Sequence, residues 1–309
     1  MEPLLEINHI NYAYHSMQGE TPALQNIHFT VCKGDFIAVV GPSGCGKTTL
    51  LSLIAGLLLP EEGEILLNGK RLQEQSNNPI GYMLQKDHLL EWRTIWKNIQ
   101  LGLEIQGNIN SASTAYANSL LKNYGLYDFK DKRPCELSGG MRQRAALIRT
   151  LVLNPTLLLL DEPFSALDYQ TRLKVADDIG MIIKQEEKTA ILVTHDLSEA
   201  VSLANRVIVL SERPAQIAAV VPLEFEESLT PFERRAAPQF KHVMEDCHTK
   251  ALIQFSNFIF AGCVPDRWMP HVDFFNHFVL LIRDSSFNSF LKFLLLHPAP
   301  PSFLHSSIF

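Results

Sequence analysis

The 309-residue sequence predicts an α/β fold with a largely parallel sheet, an antiparallel β flank and an inserted α-helical subdomain. Three observations predict it. Short apolar runs alternate with helical patterns through the middle of the chain, and the stretch before the first run alternates apolar and polar positions with period two. From about Asp87 to Asn154 the period is helical, with almost no strand signal. An apolar content of 46% supports a sizeable core.

Taken in order, "LLEINHINYAYH" and "ALQNIHFTVCKG" read as half-buried strands, and "GEILLNGKRL" (63–72) as their hairpin partner. "FIAVV" (36–40) is apolar throughout, as a strand covered on both faces must be, and a helix follows from Lys47 to about Leu58. The helical subdomain contains "RTIWKNIQLGLEIQG", "SASTAYANSLLKNYGL" and "GMRQRAALIRTLVLNP". "TLLLLD" (156–161), "TAILVT" (189–194) and "RVIVL" (206–210) read as further buried strands. After about Glu212 the pattern weakens. The expected organisation is a core of residues 1–86 and 155–225, a helical subdomain at 87–154, a C-terminal helix at 226–247 and a tail at 248–309. That tail holds 11 of the 18 Phe and only seven charged residues without a sustained period, so it is expected to be poorly ordered and dispensable for catalysis.

Composition narrows the functional classes. The net charge of -6 comes from 33 acidic and 27 basic residues spread along the chain, which leaves no basic field for nucleic acid and no polybasic segment for anionic lipid. Cys32, Cys45, Cys135, Cys247 and Cys263 form no C-x-x-C pair, against both a disulfide framework and a thiolate zinc site. The N-terminus has an early acid and no basic region before an apolar run, and no window reaches the length of a spanning helix. A cytosolic chain is expected, one able to sit on a membrane through a partner.

The chemistry lies in the motifs. In "GPSGCGKTTL", Gly41, Gly46, Lys47 and Thr48 satisfy G-x-x-x-x-G-K-[ST] immediately after a predicted strand and at the opening of a helix. Gly41, Pro42, Ser43, Gly44, Cys45, Gly46, Lys47, Thr48 and Thr49 therefore form a candidate phosphate cradle. Backbone N–H groups converge on the phosphates, Lys47 supplies charge and the Thr48 hydroxyl is a ligand for Mg²⁺. Cys45 fills a small position with no base indicated nearby. "TLLLLDEP" ends a buried strand in Asp161, suited to the Mg²⁺ shell, and Glu162, a candidate general base or water-positioning group. Alone, that pair would read as a solvated strand end before Pro163; the phosphate cradle decides otherwise.

A second cradle, Ser138, Gly139 and Gly140 in "CELSGGMRQR", opens a helix 91 residues after Lys47, beyond the helical subdomain. It requires a nucleotide other than the one on its own loop. Two copies facing head to tail would each cap the nucleotide of the other, giving two composite sites.

"LSGGMRQR" resembles the signature motif of the ABC ATPases, and the order of motifs matches that family from about Leu4 to Leu210. The resemblance implies a P-loop NTPase core of the ABC ATPase type, with ATP and Mg²⁺ as cofactors. It implies that Tyr14 stacks on adenine, with Tyr12 as the alternative. Gln85 would join core to helical subdomain near the metal and attacking water, so that Thr48, Gln85 and Asp161 surround Mg²⁺. Asp168 would contact the opposite subunit and His195 the γ-phosphate. Each type alone is commonly structural; in this order and on these elements they are specific.

"MLQKDHLLEWRTIWKNIQLGLEIQG" and "DEPFSALDYQTRLKVADDI" look like the ATP-binding subunits of bacterial importers for nitrate, sulfonate and taurine. That likeness implies a second copy as partner, transmembrane permease subunits, an extracytoplasmic solute-binding protein indirectly, and a place on the cytoplasmic face of the cell membrane. "LLEWRTIWKNI" would receive the permease, with Trp92 and Trp96, four apart on a helix, either near the surface or packed inward; Glu91 stands where these subunits usually carry proline. The alternative is a soluble, non-transport ABC ATPase. Against it stand the single nucleotide domain and the lack of a long heptad coiled coil or basic arm.

Overall fold

The computed structural model describes residues 3–17, 19–74, 80–226 and 228–263. Met1–Ser256 form one compact unit. The elements of the described residues run β1 (Pro3–Ser16), β2 (Gly19–Cys32), β3 (Phe36–Val40), α1 (Lys47–Ile54), β4 (Glu62–Leu67), β5 (Lys70–Arg71) and β6 (Ile80–Met83). The helices α2 (Ile95–Ile99), α3 (Leu101–Ile105), α4 (Ser111–Asn123) and α5 (Gly139–Leu151) follow. Then come β7 (Leu157–Asp161), α6 (Tyr169–Gln185), β8 (Thr189–Val193), α7 (Leu197–Leu203), β9 (Arg206–Leu210), β10 (Ile217–Pro222), α8 (Pro231–Ala236) and α9 (Pro238–Cys263).

Two sheets form. The first has the order β2-β1-β4-β5, all antiparallel. The second has the order β10-β9-β3-β8-β7-β6, parallel except for β10 at its edge. Period-two alternation sorts the side chains of the parallel strands into two cores. Phe36, Ala38, Val40, Leu158, Leu160, Ala190 and Leu192 pack with the helices, including Ile95, Leu120, Leu147 and Ile179. Ile37, Val39, Leu157, Leu159, Ile191 and Val193 pack with α1 and the antiparallel sheet through Leu50, Leu53, Ile7 and Ile27. Chain reversal at the carboxyl ends of β3, β6, β7 and β8 collects the candidate site residues at one end of the sheet.

Several elements differ from the sequence reading. α1 stops at Ile54, not near Leu58, because Gly56 turns the chain at φ +73° and its N–H bonds the Leu53 carbonyl. β6 and β10 were absent from that reading: β6 has four residues with a glycine inside it, and β10 is an edge strand ending in Pro222. The single helix expected at 226–247 is two helices, separated at Ala237, and the second runs on to Cys263 because no proline intervenes before Pro265. Phe240, Val243 and Met244 of α9 pack against the helix-side core, and Cys247 is fully buried. The rest of the expected tail, 264–309, lies outside the described residues. Trp92 precedes α2, in a turn, so it shares no helix with Trp96; Trp92 is 72% exposed, whereas Trp96 packs against the core. Among the described residues, no helix is long and apolar enough to cross a membrane.

Candidate functional site

The phosphate cradle is the turn from β3 into α1. Gly46 sits at φ +122°, and a Cβ there would stand 2.9 Å from Leu24 Cδ2 and 3.1 Å from the Ala23 carbonyl oxygen, so only glycine fits. Lys47 is buried and folds back along the loop, its Nζ donating to the carbonyls of Gly41 (2.9 Å) and Pro42 (2.8 Å). Cys45 is buried and its thiol pKa is pushed up by burial, only partly offset by Lys47, which suits a packing residue rather than a nucleophile. Tyr14, 41% exposed, reaches the loop from β1, its hydroxyl 2.9 Å from Thr49 Oγ1. Tyr12 is packed against the β-flank core, with its ring edge-on to Tyr14 at 5.1 Å.

Beside the loop, β7 ends in Asp161, which is 6% exposed. Thr48 Oγ1 donates to its Oδ1 at 3.2 Å and the Tyr82 hydroxyl to its Oδ2 at 3.3 Å. Burial raises the Asp161 pKa, opposed by these two donors and by Lys47. The Tyr82 pKa is pushed up to about 12, first by burial and then by the Asp161 charge. Glu162 follows at φ +44°, its N–H held by the Val193 carbonyl at 2.9 Å. Its Oε2 lies 3.2 Å from Nδ1 of His195, which leaves the end of β8. Behind His195, Thr194 Oγ1 donates to the buried Glu199 (2.6 Å), whose pKa burial raises. Gln85, just past β6, donates to Ser165 Oγ at 3.2 Å, and Ser165 in turn donates to the Glu162 carbonyl at 3.0 Å.

Ser138 is the N-cap of α5, accepting from the Met141 N–H; Ser138 and Gly139 are exposed and Gly140 is buried. These glycines also serve packing: a Cβ on Gly139 would meet Leu167 Cδ2 at 2.9 Å and one on Gly140 would meet Val175 Cγ2 at 2.7 Å. Asp168 is the N-cap of α6, accepting from the Thr171 N–H at 3.1 Å, and its pKa is lowered first by its bond from Thr171.

The Gln85 loop is anchored from two sides. Arg142 of α5 makes two bonds to Asp87 (2.8 and 3.1 Å) and one to Glu91 (2.6 Å), while Arg149 donates to the carbonyls of Asp87 and His88. Buried Asn98 accepts from Leu90 N–H and donates to the carbonyls of Leu90, Arg93 and Thr94, shaping the turn that exposes Trp92. Tyr82, Ser165, Glu199 and Asn98 went unread in the sequence, because their partners are distant or polar contacts leave no periodic trace.

The structure thus brings together, at one end of the parallel sheet, the phosphate loop, Tyr14, Asp161, Glu162, His195 and Gln85. A family model described as "ABC transporter" matches residues 24–165. The uncharacterized ABC transporter ATP-binding protein YtlC of Bacillus subtilis is 47% identical over 242 residues, covering 78% of this chain and 93% of its own. The aliphatic sulfonates import ATP-binding protein SsuB of Bacillus thuringiensis is 36% identical over 257 residues, covering 82% and 96%. A dimeric ATP-binding cassette, MJ0796, solved in a post-hydrolysis state with ADP and Pi, superposes with TM-score 0.61 at 27% identity, covering 72% of this chain and all of that one. On this fold, this loop and these relatives, the chain belongs to the ABC transporter family and is an ATP-binding, ATP-hydrolysing cassette.

Proposed function

We propose that the chain is the ATPase subunit of a membrane importer for a small solute of the nitrate, sulfonate or taurine class, working as a head-to-tail pair of copies. The observation that carries the ATPase part of this reading is the set of acid groups beside the loop, in which Asp161 meets Thr48 and Glu162 meets His195. Import of a sulfonate-like solute is supported by the likeness to SsuB, and pairing by the dimeric cassette.

In this reading Tyr14 offers its exposed ring to adenine, and Gly41 through Thr49 wrap the phosphates with N–H groups and the Lys47 ammonium. Asp161 is a buried carboxylate whose hydrogen-bond donors are neutral and whose pKa burial raises despite the Lys47 charge, so further positive charge beside it is favourable, which fits a cation. Thr48, Asp161 and Gln85 supply hard oxygen ligands for Mg²⁺, which when bound neutralises phosphate charge. Glu162 accepts the proton of the attacking water and His195 steadies Glu162 and the terminal phosphate. Ser138, Gly139, Gly140 and Asp168 serve the nucleotide of the other copy. The pinned turn with Trp92 at its apex offers an apolar contact for a transmembrane permease, which binds the chain to the cytoplasmic face of the membrane and links it indirectly to an extracytoplasmic solute-binding protein.

The test is capture of the full chain from detergent-solubilised native membranes, with its companions identified by mass spectrometry. A polytopic permease is expected. Recovery of ribosomal, DNA-bound or assembly proteins alone, with the chain absent from membranes, would replace import by a soluble role.

A further inference from the structure

We propose that Tyr82 is a positioning residue for the metal that accompanies the nucleotide: from β6 its hydroxyl holds Asp161 Oδ2, orienting the carboxylate toward Thr48 and the phosphate loop. The proposal rests on the assignment of Thr48 and Asp161 to the metal made above.

Sheet register sets up the contact. Tyr82 pairs with Leu159 across the β6–β7 ladder, and Asp161 lies two residues further on the same face of β7. The Tyr82 ring packs against the core that contains α1. With the ring held by that packing, the hydroxyl stands 3.3 Å from Oδ2, while Thr48 donates to Oδ1 at 3.2 Å. The two donors are not equivalent. The Thr48 hydroxyl can offer an oxygen lone pair to a metal while its proton still donates to Oδ1, whereas Tyr82 only donates, to Oδ2, and does so from the sheet. Hydrogen bonds to a ligating carboxylate orient it, and losing one typically costs about 10- to 100-fold in metal affinity.

The experiment titrates Mn²⁺, in place of Mg²⁺, into the full chain saturated with ADP, following free Mn²⁺ by electron paramagnetic resonance. Tyr82→Phe keeps the ring and its packing. It is expected to weaken Mn²⁺ binding about tenfold, with ADP affinity in EDTA unchanged. Unaltered Mn²⁺ affinity in this variant overturns the proposal, and so does an equal loss of ADP affinity in EDTA, which would mark a purely structural role. Asp161→Asn separates the two levels. Its expected result is loss of tight Mn²⁺ binding; if it binds Mn²⁺ as the native chain does, the metal assignment itself fails and Tyr82 falls with it.

Discussion

Glu162 carries two separable consequences, one chemical and one conformational. Its backbone lies at φ +44°, in the region where an L residue costs about 1–2 kcal/mol relative to the right-handed form. Glycine escapes that penalty but loses about 0.4–1 kcal/mol more chain entropy on folding, so Glu162→Gly should gain a net stability of about 0.5–1 kcal/mol. The partly exposed contact with His195 offsets little of this. Glu162→Gln keeps the strain and the shape while removing the base. For the described fold, the glycine variant should therefore melt about 1–4 °C above the glutamine variant. Both should lose about 10²- to 10⁴-fold in phosphate release, equivalent to about 3–5 kcal/mol of barrier. The assays are paired thermal melts and steady-state phosphate release on the same preparations. Native-rate turnover by Glu162→Gln refutes the proton-acceptor role, and a glycine variant that melts below the glutamine variant refutes the strain argument.

Three further outcomes are expected. Lys47→Ala removes the charge folded along the loop and should weaken ATP binding about 10- to 100-fold, as equilibrium dialysis would show. Gly140→Ala drives a Cβ to 2.7 Å from Val175 Cγ2 and should cost about 1–3 kcal/mol in urea unfolding; Val175→Ala should then stabilise that variant while destabilising the native chain. For Asp87, burial raises the pKa but the bonds from Arg142 and the Leu89 N–H outweigh it, so the folded value lies below the ordinary 3.8. A depressed carboxylate contributes stability that is fully present above its unfolded pKa and is lost as pH falls through the folded one. Arg142→Gln should accordingly be less stable than the native chain at pH 7, with the gap narrowing as pH falls below about 3.8; a gap of constant size would contradict the pairing.

Much of the nucleotide chemistry was legible because it is local. A phosphate loop needs its glycines, lysine and threonine within eight residues, at a strand end and a helix start, and both flanking elements carry strong periodic signals. The buried strands were equally plain, since a strand covered on both faces must be apolar at every position. The tertiary structure decided what local pattern cannot encode. Gly81 stands inside β6 because a Cβ there would meet Thr150 Cγ2 at 2.5 Å, a close approach no neighbour in sequence announces. The pairing of Glu162 with His195, of Gln85 with Ser165, and of Asp161 with both Thr48 and Tyr82 spans up to 113 residues and depends on strand order and on how α1 and the loops pack on the sheet. Tyr12 and Tyr14 share a face of one strand, and only the approach of α1 to that strand brings the second to the loop, through Thr49. The sequence by itself determined which chemical groups the chain owns and the local turns that carry some of them. Packing of two sheets and a helical layer determined which of those groups meet, because contact between distant residues is a property of the assembled core and not of any segment.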